Sequence, residues 1–234
     1  MTDVPPLVLD IDGTLTRPEG GIDPRACEPI RSWPEPVVLA TGKAFPYPVA
    51  LCTFIGIEER VIAENGGIAH VDDEVLVHGD RELTTSAVEE FLDAGGDLGW
   101  GQVDLVNRWR ETEVAVRLDA DEALLRDVAG RHGLEVVDTG YAFHLKQPDM
   151  SKGLMLERVA DRLGYDPAAF VAIGDSENDV STFERVGRSY APANADERAR
   201  AAADVVLDGE HADGTLAALE RISASGRPDG PGSY

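Results

Sequence analysis

Apolar residues gather in short runs that stop abruptly at glycine or at acid. Leu7–Thr16 reads LVLDIDGTLT, Val37–Ala40 reads VVLA before Thr41-Gly42-Lys43, and Phe170–Ile173 reads FVAI before Gly174-Asp175-Ser176-Glu177-Asn178-Asp179. A short apolar run closed by glycine is the pattern of a parallel strand buried on both faces. Arg60–Ala63 is a further short strand, followed by Glu64-Asn65-Gly66-Gly67, and Ile68–Val71 with Val75–His78 reads as a hairpin about the acidic turn Asp72–Glu74. Helical spacing marks Pro24–Ser32, Tyr47–Phe54, Ser151–Leu163 (Ser151 as N-cap, Gly164 as stop), Ser181–Val186, Asp196–Ala203 and Gly214–Ile222. Ser189–Ala191 reads as an edge strand and Val205–Leu207 as a last short one. Strands alternating with helices predict an α/β fold, a doubly wound and mostly parallel sheet.

Between these segments the pattern changes. Helix Thr85–Ala94, strands Val103–Asn107 and Thr112–Leu118, helix Asp121–His132, and strands Leu134–Asp138 and Tyr141–Lys146 make an inserted α+β layer. The expected division is a core from residues 1–80 and 150–222, a cap from 81–149, and a disordered Gly-, Pro- and Ser-rich tail over 223–234.

Composition adds three restrictions. The chain of 234 residues is 43% apolar, enough for a normal core, and it holds no apolar run of the roughly 18 residues that span a membrane. Met1–Pro6 has no basic lead into an apolar segment, so no secretory signal is expected, and Cys27 and Cys52 read as reduced thiols of a cytoplasmic protein. The net charge of −23 argues against nucleic acid and anionic membranes as partners. Lysine occurs only at Lys43, Lys146 and Lys152, and acidic, lysine-poor surfaces of this kind resemble those of proteins from high-salt cytoplasms.

The chemistry follows from where the acids stand. Asp10 and Asp12 cannot lie inside a buried strand without a large desolvation cost, so they belong at its C-terminal end, where open α/β sheets bind ligands. Two anions at i, i+2 spacing on one side of a strand require a cation or a retained proton. An EF-hand fails, because the twelfth position from Asp10 is Gly21 where a glutamate is needed. Thr41 with Gly42, and Asp175, Asn178 and Asp179, end two further strands on the same edge. Asp10, Asp175 and Asp179 then offer oxygen-only ligation, which points to magnesium. Lys152 stands in the first turn of a helix, where a cation is unfavourable unless an anion faces it. His144, in an alternating strand, reads first as structural.

Taken together, LVLDIDGTLT, VVLATGK, Lys152 in SKG and VAIGDSENDV resemble the four motifs of the haloacid dehalogenase superfamily of phosphohydrolases. The insertion between the second and third motifs resembles the branch with an α+β cap. Glu64–Gly67 and Asn107–Glu111 (NRWRE) resemble its archaeal phosphoglycolate phosphatases more closely. The resemblance implies catalysis by Asp10 as nucleophile and Asp12 as acid and base. It implies Mg2+ held by Asp10, Asp12 (through its carbonyl), Asp175 and Asp179, and substrate binding by Thr41, Gly42, Lys152 and Asn178. Asn178 would orient Lys152 or Asp10. The expected partner is a small phosphate ester, bound by a monomer or homodimer. Arg108 and Arg110, which share one side if their strand is regular, and His144 are the cap residues that would choose the substrate; the alternative is that these arginines pair with the cap's own acids. A sugar-phosphate phosphatase with the same machinery remains an alternative reading, and a receiver-like phosphoacceptor module a distant one.

Self-repulsion at −23 opposes the compact state and is screened by salt, the Debye length falling from about 10 Å at 0.1 M to about 3 Å at 1 M. The melting midpoint and the activity are therefore expected to rise as potassium chloride goes from tenths molar to molar. A flat or falling melting midpoint would return the chain to the ordinary acidic proteins.

Overall fold

A computed structural model describes residues 4–225. Its first strand, β1 (Leu7–Asp10), is buried at every position and pairs in parallel with β2 (Val37–Ala40) on one side and β9 (Val171–Ile173) on the other. Parallel pairing continues through β3 (Val61–Ala63) and through β10 (Arg188–Ala191) to β11 (Val205–Val206). The hairpin of β4 (Ile68–Val71) and β5 (Glu74–Val77) adds antiparallel strands beyond β3, giving the order β11-β10-β9-β1-β2-β3-β4-β5. Ser189–Ala191 is thus interior and not an edge, because β11 pairs along its free side.

Alternation along β1 assigns each residue to a layer. Leu7 and Leu9 pack with α1 (Pro24–Arg31), α2 (Pro46–Ile55) and α8 (His211–Ser225), whereas Val8 packs with Met155 and Leu156 of α5 (Lys152–Leu163). Each fully buried aliphatic side chain of this kind contributes about 1.5–3 kcal/mol. Asp10 follows Val8 on the same face, and one helical turn before Met155 stands Lys152. The periods of strand and helix together therefore bring these two charges into contact. The close approach also needs Gly153, where a Cβ would lie 1.9 Å from the Ser181 carbonyl oxygen.

The second sheet, β6 (Val114–Val116), β8 (Phe143–Lys146) and β7 (Glu135–Asp138), is antiparallel in the order β6-β8-β7. Helices α3 (Arg81–Asp93) and α4 (Glu122–Arg131) cover it around Phe91, Leu125, Val128 and Leu145. It has three strands and not the four expected, because 103–107 is a series of turns. Asp104 Oδ1 accepts the backbone N–H groups of Val106 and Asn107 at 2.9 and 2.8 Å, closing a turn. Asn107 then bonds both the N–H and the carbonyl of Ala115, occupying the β6 edge that a fourth strand would need.

Two smaller differences concern the ends. Helix α3 begins at Arg81, capped by Asp80, earlier than the apolar spacing suggested. Helix α8 continues through 223–225, so the expected disordered tail starts too early, and the rest of it, 226–234, lies outside the described residues. Cys27 and Cys52 are both free thiols. Among the described residues no helix is long and apolar enough to cross a membrane.

Candidate active site

The C-terminal ends of β1, β2 and β9 meet where chain order reverses on either side of β1, the position at which doubly wound sheets hold ligands. Asp10, Asp175 and Asp179 place one carboxylate oxygen each within 4.8 Å of one another. The Lys152 ammonium donates to Asp10 Oδ1 and to Asp179 Oδ1, both at 2.7 Å, and is wholly buried. Asp179 Oδ2 accepts the N–H groups of Asp175 and Ser176 at 3.0 and 3.1 Å, which fixes its rotamer. Gly13, at φ +76°, is required twice: it takes the left-handed turn after β1, and a Cβ there would lie 1.9 Å from Asp175 Oδ2.

One ammonium does not balance three acids. Burial pushes Asp10 well above the carboxylate range, Lys152 pulls it back, and Asp179 and Asp175 raise it further. Burial and Asp179 push Asp175 up to about 7. Lys152, although burial favours its neutral amine, is held charged above its ordinary value by Asp10 and Asp179. The cluster is thus short of positive charge, and its donors are all oxygen, the set that suits a hard cation such as Mg2+.

Asp10 faces a cavity of ≈ 320 Å³ whose lining includes Asp12, Thr41, Gly42, Lys43, Arg110 and His144. Asp12 lies beyond the end of β1, in the turn, so it does not continue the strand's alternation beside Asp10. It is exposed, with Oδ2 3.1 Å from the Lys43 ammonium. Thr41 is buried, and its hydroxyl accepts the Lys43 N–H at 3.1 Å. A larger cleft, ≈ 690 Å³, shares Asn65, Thr139, Ser176 and Asn178 with this cavity and is lined also by Lys146 and Lys152, but by neither Asp10 nor Thr41.

Several expected placements change. Among the described residues Asn178 makes no hydrogen bond to Lys152 or Asp10. Its amide donates to Asn65 Oδ1 at 3.0 Å and its oxygen accepts from Ser176, so it joins the β9 loop to the β3 loop. Lys152 lies behind the acids and is not part of the cavity wall. Lys146 is held by Glu135 and the Met150 carbonyl. Arg108 and Arg110 do not share a side, since their segment is not a strand. Arg108 is exposed, its guanidinium 5.9 Å from the Trp109 ring centre, while Arg110 is buried and donates to the Gly42 carbonyl oxygen at 3.0 Å and to Glu113.

Four residues here carry no assignment from the motifs. Lys43 is the exposed cation at the acids, and its signal is the scarcity of lysine in the chain. Glu64 and Asn65 are consecutive non-glycine residues at φ +52° and +53°, a left-handed backbone rarely adopted by residues with a Cβ. The buried Glu64 carboxylate accepts the N–H groups of Glu111 and Thr112 and the Thr112 hydroxyl at 2.7–2.9 Å, and burial pushes its pKa up. Asn65 reaches Glu113 in the same way, at 3.0 Å. Nothing in sequence distinguishes Glu113 among 44 acids.

Comparison with known proteins agrees with this architecture. The model of the haloacid dehalogenase-like hydrolase family matches residues 7–106 and 128–219. A phosphoglycolate phosphatase of Halorubrum lacusprofundi is 62% identical over 218 residues, covering 92% of this chain and 96% of that one. One of Archaeoglobus fulgidus is 38% identical, covering 92% and 95%. A Thermoplasma acidophilum crystal structure superposes with a TM-score of 0.81 at 28% identity, covering 94% of this chain and 98% of that one. The match takes in the strand-end acids together with the layers that position them, and the receiver-like reading falls with it: the chain belongs to the haloacid dehalogenase-like hydrolase family.

Proposed function

We propose that the protein is a Mg2+-dependent phosphomonoesterase that hydrolyses 2-phosphoglycolate to glycolate and phosphate. The observation that carries the reading is one small cavity lined both by Asp10, Asp12 and Asp175 and by Arg110 and His144. A guanidinium suits a carboxylate, and this substrate bears one two atoms from its phosphate ester oxygen. A volume of ≈ 320 Å³ is at the small end for ligand pockets, which favours such an ester over a hexose phosphate. The name shared by the relatives supports the same substrate.

In the proposed reaction an Asp10 oxygen attacks phosphorus, and the bond to the leaving alkoxide breaks while Asp12 donates a proton to it. Water then attacks the aspartyl-phosphate with Asp12 accepting its proton, and Asp10 is released. The Thr41 hydroxyl and the backbone at Gly42 take phosphate oxygens, and Lys152 balances charge from behind Asp10. Asp10, Asp175 and Asp179, with the Asp12 carbonyl, would hold Mg2+, which when bound neutralises charge on the phosphoryl group. Residues 81–149 act as the cap that chooses the leaving group, and Asn178 acts through its bond to Asn65.

Asp10→Asn is expected to fold and to lose activity by on the order of 10³-fold or more. Asp12→Asn should be severe on alkyl phosphates and milder on nitrophenyl phosphate, whose leaving group needs no proton; equal losses would remove the acid role. Catalytic efficiency on phosphoglycolate should exceed that on glycerol phosphate and hexose phosphates. Better turnover of hexose phosphates would install the sugar-phosphate alternative.

The raised carboxylates also set a stability test. An acid whose pKa is higher folded than unfolded binds more protons in the native state, so stability falls as pH rises from the unfolded value, about 4, through the folded one. For Asp175 that window closes at about 7. The metal-free protein is expected to melt lower at about pH 8 than at about pH 5, and Mg2+ to raise the midpoint more at the higher pH. Equal Mg2+ stabilisation at both values would contradict the three-acid site.

A further inference from the structure

Glu113 is anomalous for a site that takes anions: an acid beside the cavity, almost wholly buried at 2% exposure. It does not line the cavity, but three residues that do so all bond to it. Its carboxylate accepts the Asn65 amide at 3.0 Å, the His144 Nδ1 hydrogen at 2.9 Å and the Arg110 guanidinium. Burial alone would raise its pKa, but His144 and Arg110 outweigh that and hold it at about 2. Its three donors come from three separate places: the β3 loop, the turn before β6, and β8.

We propose that Glu113 is a positioning residue for substrate recognition, clamping Arg110, His144 and Asn65 from behind so that the cavity presents the Arg110 guanidinium in one fixed position to the substrate carboxylate. The inference rests on the phosphoglycolate reading above. Among the described residues Glu113 is the one carboxylate that Arg110 meets, and without it the guanidinium would keep only bonds to backbone carbonyls. Arg110 is fixed further by Nε to the Val106 carbonyl oxygen at 3.2 Å and Nη1 to that of Gly42 at 3.0 Å. Among the described residues no bond uses Arg110 Nη2, which leaves that guanidinium nitrogen to donate to a ligand. A preorganised donor binds a carboxylate without the ordering cost that a free side chain would incur. Asn65 also accepts from Asn178, so the clamp is registered against the loop that carries Asp175 and Asp179.

The test compares 2-phosphoglycolate with ethyl phosphate, the same ester chain without the carboxylate. The readout is the ratio of their kcat/KM values in wild type, Glu113→Gln and Glu113→Asp, with melting curves for each. Glu113→Gln should lower the ratio on the order of tenfold or more, the size of one lost charge-assisted hydrogen bond, with the loss in the KM for phosphoglycolate. Glu113→Asp keeps the charge and should recover part of it. An unchanged ratio in a folded variant overturns the proposal. So does an equal loss on both esters, or failure of both variants to fold, either of which makes Glu113 a purely structural acid. A wild-type enzyme that does not prefer phosphoglycolate overturns the substrate reading itself, a result distinct from all of these.

Discussion

The ion triplet of Asp10, Lys152 and Asp179 is the constraint on which the rest depends. Three carboxylates converge at the ends of β1 and β9 against one buried ammonium. A buried charge without a partner is expensive, so the fold must deliver Lys152 to the end of β1 within hydrogen-bond range. It does so through helix α5, whose Met155 and Leu156 share a core with Val8. The apolar core and the reactive edge are thus one packing problem: the burial that stabilises the sheet also positions the cation. The remaining deficit of positive charge is what recruits a metal ion and an anionic substrate in the proposed mechanism.

A second set of contacts ties the two sheets together, and it starts from two strained residues. Glu64 and Asn65 both adopt the left-handed backbone, which costs on the order of 1–3 kcal/mol each where a Cβ is present. The strain directs two side chains from the β3 loop into the segment leading to β6, where Glu64 takes up backbone N–H groups and Asn65 meets Glu113. Arg110 closes the connection in the opposite direction, onto the Gly42 carbonyl oxygen. In the proposed mechanism the larger sheet carries the groups for phosphate chemistry, and the junction carries those that would read the leaving group.

The sheet was legible in sequence because its strands are covered on both faces, so that LVL, VVLA and FVAI read as unbroken apolar runs. The strand-end acids were legible for the complementary reason, since charge cannot continue such a run. Val103–Asn107 misled because Val103 and Leu105 are exposed, at 71% and 51%, while Asp104 and Asn107 spend their side chains on the backbone. Arg108 and Arg110 were paired on the strength of that strand and part company without it. Glu113 acquires meaning only once two distant segments meet, and no local pattern announces this. Asn178 was assigned to the wrong neighbour for the same reason.

In the proposed mechanism the carboxylate held by Lys152 at the end of β1 is the group that reacts. The decisive measurement mixes the enzyme with Mg2+ and phosphoglycolate, quenches in acid during turnover, and maps the peptides by mass spectrometry. The expected result is a phosphoryl group on the peptide containing Asp10, absent from Asp10→Asn and lost on treatment with hydroxylamine. Turnover that leaves Asp10 unmodified at every quench time while another residue carries the phosphoryl group would contradict it.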